Sequence, residues 1–218
     1  MKIAILGTGT VGQTLAKGFL ARGHDVMIGS RDAAGDSARR ALANVGSAVR
    51  IGTFAQAAAH GDLAVLATAW SGTQSALELA GAERLAGKVV ADATNPLAVD
   101  ANGPRLALGF TTSAGEQVQD WLPGSLVVKV WNTVGAGRMV DPTFPEGRPT
   151  MFVAGNDAGA KRTIFGLLDA FGWDGVDIGN IEGARLLEPM AMLWITYAKR
   201  NNHWTAAFKL LGAKAGGN

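Results

Sequence analysis

Lys2-Ile3-Ala4-Ile5-Leu6-Gly7-Thr8-Gly9-Thr10-Val11-Gly12 is the stretch that decides the fold. Lys2–Leu6 is β-compatible and almost wholly apolar. It runs directly into Gly7-x-Gly9-x-x-Gly12. A helical pattern follows, with Val11, Leu15, Phe19 and Leu20 as its apolar positions. Arg22-Gly23-His24 ends that helix, with Gly23 suited to the position after the C-cap. Asp25–Ile28 then reads as a second strand, closing at Gly29-Ser30-Arg31. A glycine hexapeptide alone is a weak signal. A strand before it, a helix after it and a second strand about twenty residues later make it a dinucleotide fingerprint. Gly7 permits a sharp turn, Gly9 leaves the pyrophosphate unobstructed, and Gly12 lets helix and strand pack closely. The free N–H groups and positive dipole of the helix N-terminus then face the phosphates, near Thr8, Thr10 and Val11.

Outward from this unit the alternation continues. Asp36–Asn44 predicts a helix, Ala48–Ile51 a short strand and Phe54–Ala59 a short helix. Asp62–Ala69 and Lys88–Ala93 are apolar runs without alternation, as expected of strands covered on both faces. Ser75–Leu85 and Gly115–Trp121 predict helices, and Ser125–Trp131 a further strand. The expected fold is α/β: a Rossmann-type, doubly wound, mainly parallel sheet. Gly135–Pro149 reads as a long loop. Beyond it, Met151–Ala154 and Val176–Ile178 predict strands and Lys161–Phe171 a helix. Met190, Leu193, Trp194 and Tyr197 mark the apolar face of a last helix, read as ordinary core or, alternatively, as a contact for the second ligand or a second subunit. The expected division is a nucleotide-binding core over 1–135 and a small C-terminal α/β extension, ending in that helix, over 136–218. The one low-complexity stretch is 212–218.

Composition narrows the chemistry. Among 218 residues there are no cysteines, which excludes a thiol nucleophile, thiolate zinc sites and disulfide scaffolds. It also fits a reducing, cytoplasmic setting. Hydrophobic residues make up 48% and charged residues 17%, a well-packed globular composition. A net charge of +2 is too small to imply nucleic acid, and no apolar run approaches a membrane span. The first residues are too short an apolar segment for a secretory signal. Glycine is in excess, at 30 residues, so the chain needs tight turns or close backbone approach.

The end of the second strand selects the nucleotide. A carboxylate there favours a ribose diol. Ser30 and Arg31 instead suit a 2′-phosphate, which predicts NADP(H) over NAD(H). Asp32 lies one position beyond the expected acid. Arg39 or Arg40 could assist Arg31, but each is read first as part of a solvated helix face. Ligands in such sheets bind outside the carboxyl ends of the strands, here Gly7, Gly29, Trp70-Ser71, Thr94-Asn95 and Asn132-Thr133. Thr68, Ala69, Trp70 and Pro96 are therefore candidates around the nicotinamide, with Asn95, Asn132 and Thr133 as polar anchors. Gly135 and Gly137 are expected at the mouth of the site.

Gly7-Thr-Gly-Thr-Val-Gly12, Val26-Met-Ile-Gly-Ser-Arg31, Thr94-Asn-Pro96 and Val128-Lys-Val-Trp-Asn-Thr133 resemble the NADPH-dependent coenzyme F420 reductase family. The resemblance covers most of the chain in order and length. It implies an oxidoreductase that moves a hydride between NADP(H) and a second redox cofactor, the deazaflavin coenzyme F420. It implies nucleotide at Gly7–Gly12, Ser30 and Arg31, deazaflavin at the strand ends under the C-terminal part, and a homodimer. Trp131 and Trp204 are expected to shape the second-ligand pocket. A flavin, quinone or small-substrate reductase on the same fold, and a non-catalytic NADP(H) sensor, are the alternative readings.

Acids and bases are scarce. Of three histidines, His24 and His60 fall before strands, at their amino ends, and His203 lies late in the expected C-terminal helix. Tyr197 is the only tyrosine, so no Tyr-x-x-x-Lys pair exists. Lys129 alternates with Val128 and Val130 in a strand, which makes it an inward group or a residue on a solvated face, and the solvated face is the favoured reading. No protein side chain is expected to be catalytic and no metal to be bound. The cofactors carry the chemistry and the protein positions them.

Overall fold

The structure is a computed structural model that describes residues 1–101 and 103–212. Residues 213–218 of the low-complexity stretch lie outside the described residues. An eight-stranded sheet runs through the molecule in the order β10-β9-β8-β5-β4-β1-β2-β3. Six consecutive strands of it are β1 (Lys2–Leu6), β2 (Asp25–Ser30), β3 (Arg50–Thr53, at one edge), β4 (Leu63–Leu66), β5 (Val89–Asp92) and β8 (Leu126–Lys129). They are parallel throughout. The helices between them are α1 (Thr10–Ala21), α2 (Asp36–Val45), α3 (Phe54–His60), α4 (Thr73–Ala80), α5 (Ala82–Leu85) and α6 (Ala114–Trp121). This is the expected α/β, doubly wound arrangement.

The core explains why the strands read as unbroken apolar runs. Side chains alternate across a strand. Ile3 and Ile5 join one buried cluster with Leu15, Phe19 and Ile28. Ala4 and Leu6 join another with Phe54, Leu66 and Leu77. Both faces are covered, so neither set of positions is polar.

Beyond residue 135 the sheet continues. β9 (Thr150–Gly155) pairs antiparallel to β8, and β10 (Asp174–Asp177) pairs parallel to β9. Helix α7 (Ala158–Ala170) lies between them, with Asp157 capping its N-terminus. Helix α8 (Ala184–Asn201) follows, with Pro189 in its interior.

Three local expectations differ from the structure. The helix expected over Ser75–Leu85 is divided, because Gly81 takes φ +83° between α4 and α5. An antiparallel hairpin, β6 (Leu97–Asp100) with β7 (Gly103–Leu106), stands outside the main sheet and is absent from the strand pattern read above. Pro104 and its short, half-exposed strands hide the alternation, although Asn-Gly at 102–103 is a hairpin signal in the sequence. In α8 the buried line is Ala184, Leu187, Glu188, Ala191, Trp194 and Ala198. Leu193 and Tyr197 are exposed and Met190 is half-buried, so the reading of that face as ordinary core holds only for Trp194. The small alanines let this helix approach the core closely, and they set the stripe that faces inward.

Candidate functional site

The strand order reverses direction between β1 and β4, and a cleft opens at their carboxyl ends. Its volume is about 600 Å³, and its lining includes Gly7, Thr8, Gly9, Ser30, Arg31, Thr68 and Ala69. Asp32, Gly35, Ser37, Phe54, Ser71 and Gly72 also line it. Ser71 stands at a strand end expected to meet the ligand; Gly35, Ser37, Phe54 and Gly72 were not read from the sequence, and of these only Ser37, at the start of α2, offered a polar signal.

The glycines of the turn have distinct roles. Gly7 takes φ +134°, and a Cβ there would lie 2.4 Å from the Ala67 carbonyl oxygen. A Cβ on Gly12 would lie 2.3 Å from the Gly7 carbonyl oxygen. A Cβ on Gly9 would meet nothing within 4 Å. Gly7 and Gly12 are therefore needed by the fold, and Gly9 faces open space. Gly9 is the N-cap of α1, and no side chain caps that terminus. The first-turn N–H groups of Thr10, Val11 and Gly12 have no intrahelical partner by helix geometry. These residues lie behind the cleft wall, but their amides give it an anion-binding end. Gln13 braces the turn: its Nε2 donates to the Thr8 carbonyl at 2.8 Å, and its Oε1 accepts from Asn44 at 3.0 Å.

At the end of β2, Ser30 is buried and its Oγ donates to the Asp32 carbonyl at 2.9 Å. Arg31 is exposed, with no carboxylate partner among the described residues. One of its guanidinium nitrogens lies 3.8 Å from where a Cβ on Gly72 would sit, so the side chain reaches across the cleft. A free guanidinium, a hydroxyl and an unobstructed helix N-terminus fit a phosphorylated dinucleotide. Arg39 pairs with Asp36 at 2.5 Å on the exposed face of α2, as expected of a solvated residue.

The other candidates stand further along the same sheet edge. Thr68 Oγ1 lies 2.8 Å from Thr73 Oγ1, which ties the segment after β4 to α4. Trp70 does not line the cleft. It stacks on Trp121 of α6, with ring centroids 5.5 Å apart. Asn95 and Asn132 form a reciprocal pair after β5 and β8. Asn95 Nδ2 donates to the Asn132 carbonyl at 2.8 Å, and Asn132 Nδ2 donates to Asn95 Oδ1 at 3.0 Å. Asn132 Nδ2 also donates to the Leu187 carbonyl of α8 at 3.0 Å. Asn132 Oδ1 is a buried acceptor without a partner among the described residues. Pro96 leads into β6, and Thr133 is buried with its hydroxyl toward the Met151 sulfur. Asn95, Pro96, Asn132 and Thr133 are thus outside the cleft that holds the glycine turn, at the neighbouring strand ends.

Lys129 is the main correction. It is not on a solvated face. It is fully buried, with Nζ 3.0 Å from Asp92 Oδ2 and 2.9 Å from Glu188 Oε1. β8 is covered on both faces, so alternation with valines gave no outward side. Burial pulls the ammonium down, but the Asp92 and Glu188 carboxylates outweigh it and hold Lys129 above the ordinary lysine value.

Trp131 is also core rather than pocket. It packs against Phe19 and Phe171, with centroids at 6.2 and 5.8 Å, and takes φ 60° as the chain leaves β8. Trp204 is half-exposed and meets Trp194 at 5.9 Å. Gly135 makes room for that cluster, since a Cβ there would lie 2.7 Å from Trp194. His24 Nδ1 sits 3.3 Å from the N-terminal ammonium, and His60 Nε2 lies 3.5 Å from Asp25 Oδ1. Both are at the amino ends of strands, opposite the cleft. His203 Nδ1 lies 3.4 Å from the exposed Tyr197 hydroxyl. Among the described residues no helix is long and apolar enough to cross a membrane.

Comparison with known proteins agrees with this geometry. The family described as NADP oxidoreductase, coenzyme F420-dependent, matches residues 2–96. A crystal structure from Arthrobacter sp. FB24, provisionally described as an F420-dependent NADP reductase, is 40% identical with a TM-score of 0.91. The match covers 98% of this chain and all of that one. The F420-dependent NADP reductase of Methanothermobacter marburgensis is 28% identical, over 96% of this chain and 98% of its own. The metalloreductase STEAP3 of Rattus norvegicus is 26% identical over 88% of this chain, which spans 36% of that protein's length. With the fold, the glycine turn and near end-to-end similarity in agreement, the chain belongs to the family of coenzyme F420-dependent NADP oxidoreductases.

Proposed function

We propose that this protein moves a hydride between NADP(H) and the deazaflavin coenzyme F420. The observation that carries the nucleotide half is the uncapped N-terminus of α1 beside Gly9, with Ser30 and Arg31 in the same cleft. The pyrophosphate would lie on the first-turn amides of α1, and the 2′-phosphate against Arg31 and Ser30. The nicotinamide would extend past Thr68 and Ala69 toward the Asn95–Asn132 pair. The deazaflavin, when bound, supplies the carbon that exchanges hydride with the nicotinamide. The chain's own task is to align the two rings and exclude water. It needs no acid or base for that step, and His24 and His60, at the amino ends of strands opposite the cleft, are consistent with this. The deazaflavin half rests on the family and on the names of two relatives.

The test is acceptor choice. Purified protein is mixed with NADPH and, separately, oxidised coenzyme F420, FMN and simple quinones, and absorbance is followed. Reduction of the deazaflavin alone is expected. Reduction of FMN or a quinone in its place would overturn the acceptor and keep the nucleotide. NADPH binding without turnover of any acceptor would turn the protein into a sensor.

A further inference from the structure

Lys129, Asp92 and Glu188 are 0%, 0% and 1% exposed, and the hydride step as proposed uses none of them. We propose that Lys129 is a positioning residue for the nicotinamide end of the site, acting through its buried bridge to Asp92 and Glu188. The proposal rests on the nucleotide reading above.

The bridge ties the ends of two paired strands to α8 and α6. Asp92 and Lys129 are the last residues of β5 and β8 and are register partners across the sheet. Glu188 belongs to α8. Its Oε2 accepts the Ala114 N–H at 2.9 Å and its Oε1 the Gly115 N–H at 3.0 Å, both at the start of α6. One ammonium thus faces two carboxylates, and the first turn of α6 offsets the surplus negative charge. Asp92 Oδ1 accepts both the backbone N–H and the hydroxyl of Thr94, at 2.9 and 2.7 Å.

The site residues begin where this bridge ends. Asn95 follows Thr94, whose turn Asp92 holds. Asn132 follows Lys129 by one tight turn and donates to Leu187, the neighbour of Glu188. Both halves of the Asn95–Asn132 pair are therefore hung from the same bridge. Buried ion bridges are a poor means of gaining stability, because desolvation offsets the attraction. They do permit few alternative arrangements. Here the arrangement that they fix is the spacing of two strand ends and a helix around a pair of amides. Hydride transfer depends on such spacing, since small misplacements of a bound ring cost much of the rate.

The test compares the affinity of NADPH with that of 2′-phospho-ADP-ribose, which is NADPH without its nicotinamide. Calorimetric titration is run on wild type, Lys129→Met, Glu188→Gln and Arg185→Gln, each first checked for a cooperative melt. Glu188→Gln keeps the side-chain shape and serves if Lys129→Met does not fold. Arg185 links the same helix α8 to Glu116, next to the α6 amides that Glu188 holds, without touching Lys129 or Asp92, so its variant reports any general loosening between α8 and α6. Wild type is expected to bind NADPH more tightly than the fragment. Lys129→Met or Glu188→Gln should lose about fivefold of that advantage, the worth of one neutral hydrogen bond. Fragment affinity should hold, and Arg185→Gln should match wild type. Equal losses for both ligands, no loss for either, the same selective loss in Arg185→Gln, or no NADPH advantage in wild type would each overturn the positioning role. Wild type that binds neither ligand would defeat the nucleotide reading itself.

Discussion

A Cβ on Gly12 would lie 2.3 Å from the carbonyl oxygen of Gly7, and 3.1 Å from Ile5 Cγ2. The first contact is backbone, which cannot rotate away. Gly12→Ala gains roughly 1 kcal/mol in helix propensity. Forcing α1 off β1 should cost about 1–3 kcal/mol as overpacking, before any change at the phosphates. Gly9 makes the opposite case. Its φ of −73° and ψ of 177° are open to any residue, and a Cβ meets nothing. Gly9→Val should therefore melt within about 0.5 kcal/mol of wild type and yet bind NADPH poorly, because the new side chain stands where the pyrophosphate would lie. Thermal melts with nucleotide titrations check both. A Gly9→Val protein that binds normally would remove the phosphate turn from the site.

Arg31 carries the choice of nucleotide. It is exposed, has no carboxylate partner among the described residues, and lines the cleft with Ser30. A charge-assisted contact to a 2′-phosphate is worth about 1.5–3 kcal/mol. Arg31→Ala should then lose roughly tenfold or more in NADPH affinity, with NADH affinity almost unchanged. Fluorescence titration of both nucleotides decides it. Equal losses would mean that Arg31 holds the cleft open rather than reads the phosphate.

Much of this was legible in the sequence. The first unit, Lys2 to Arg31, announces itself because its glycines, apolar run and helix period are all local. The two-sided burial of the sheet is legible in Asp62–Ala69 for the same reason. Lys129 was not legible. Its partners are 37 residues earlier, at Asp92, and on another helix, at Glu188, and no local pattern pairs them. The inner face of α8 was misread because alanines, not the large apolar residues, define it. Leu193 and Tyr197 carry the stronger hydrophobic signal and are exposed. The nicotinamide end of the site shares this difficulty, since Asn95 and Asn132 meet only through the sheet order.

Glu116 gives the fold an acid-sensitive joint. Arg185 Nε donates to Glu116 Oε2 at 2.8 Å, and a second guanidinium nitrogen reaches Oε1. Ser113 adds a hydroxyl donor at 2.7 Å. The Arg185 hydrogen bond is the largest influence and, with Ser113, holds the carboxyl below its ordinary 4.5, against the opposing effect of burial. The folded state therefore releases this proton more readily than the unfolded chain. The stability gained is present above the ordinary glutamate value and is lost as pH falls through the lower, folded one. Arg185→Gln removes the principal partner. The variant should melt below wild type at neutral pH, and the difference should shrink as pH drops below 4.5. Paired melts from neutral to acid pH measure it. A difference that stays constant across that range would show that Arg185 acts by packing its stem, not by pairing with Glu116.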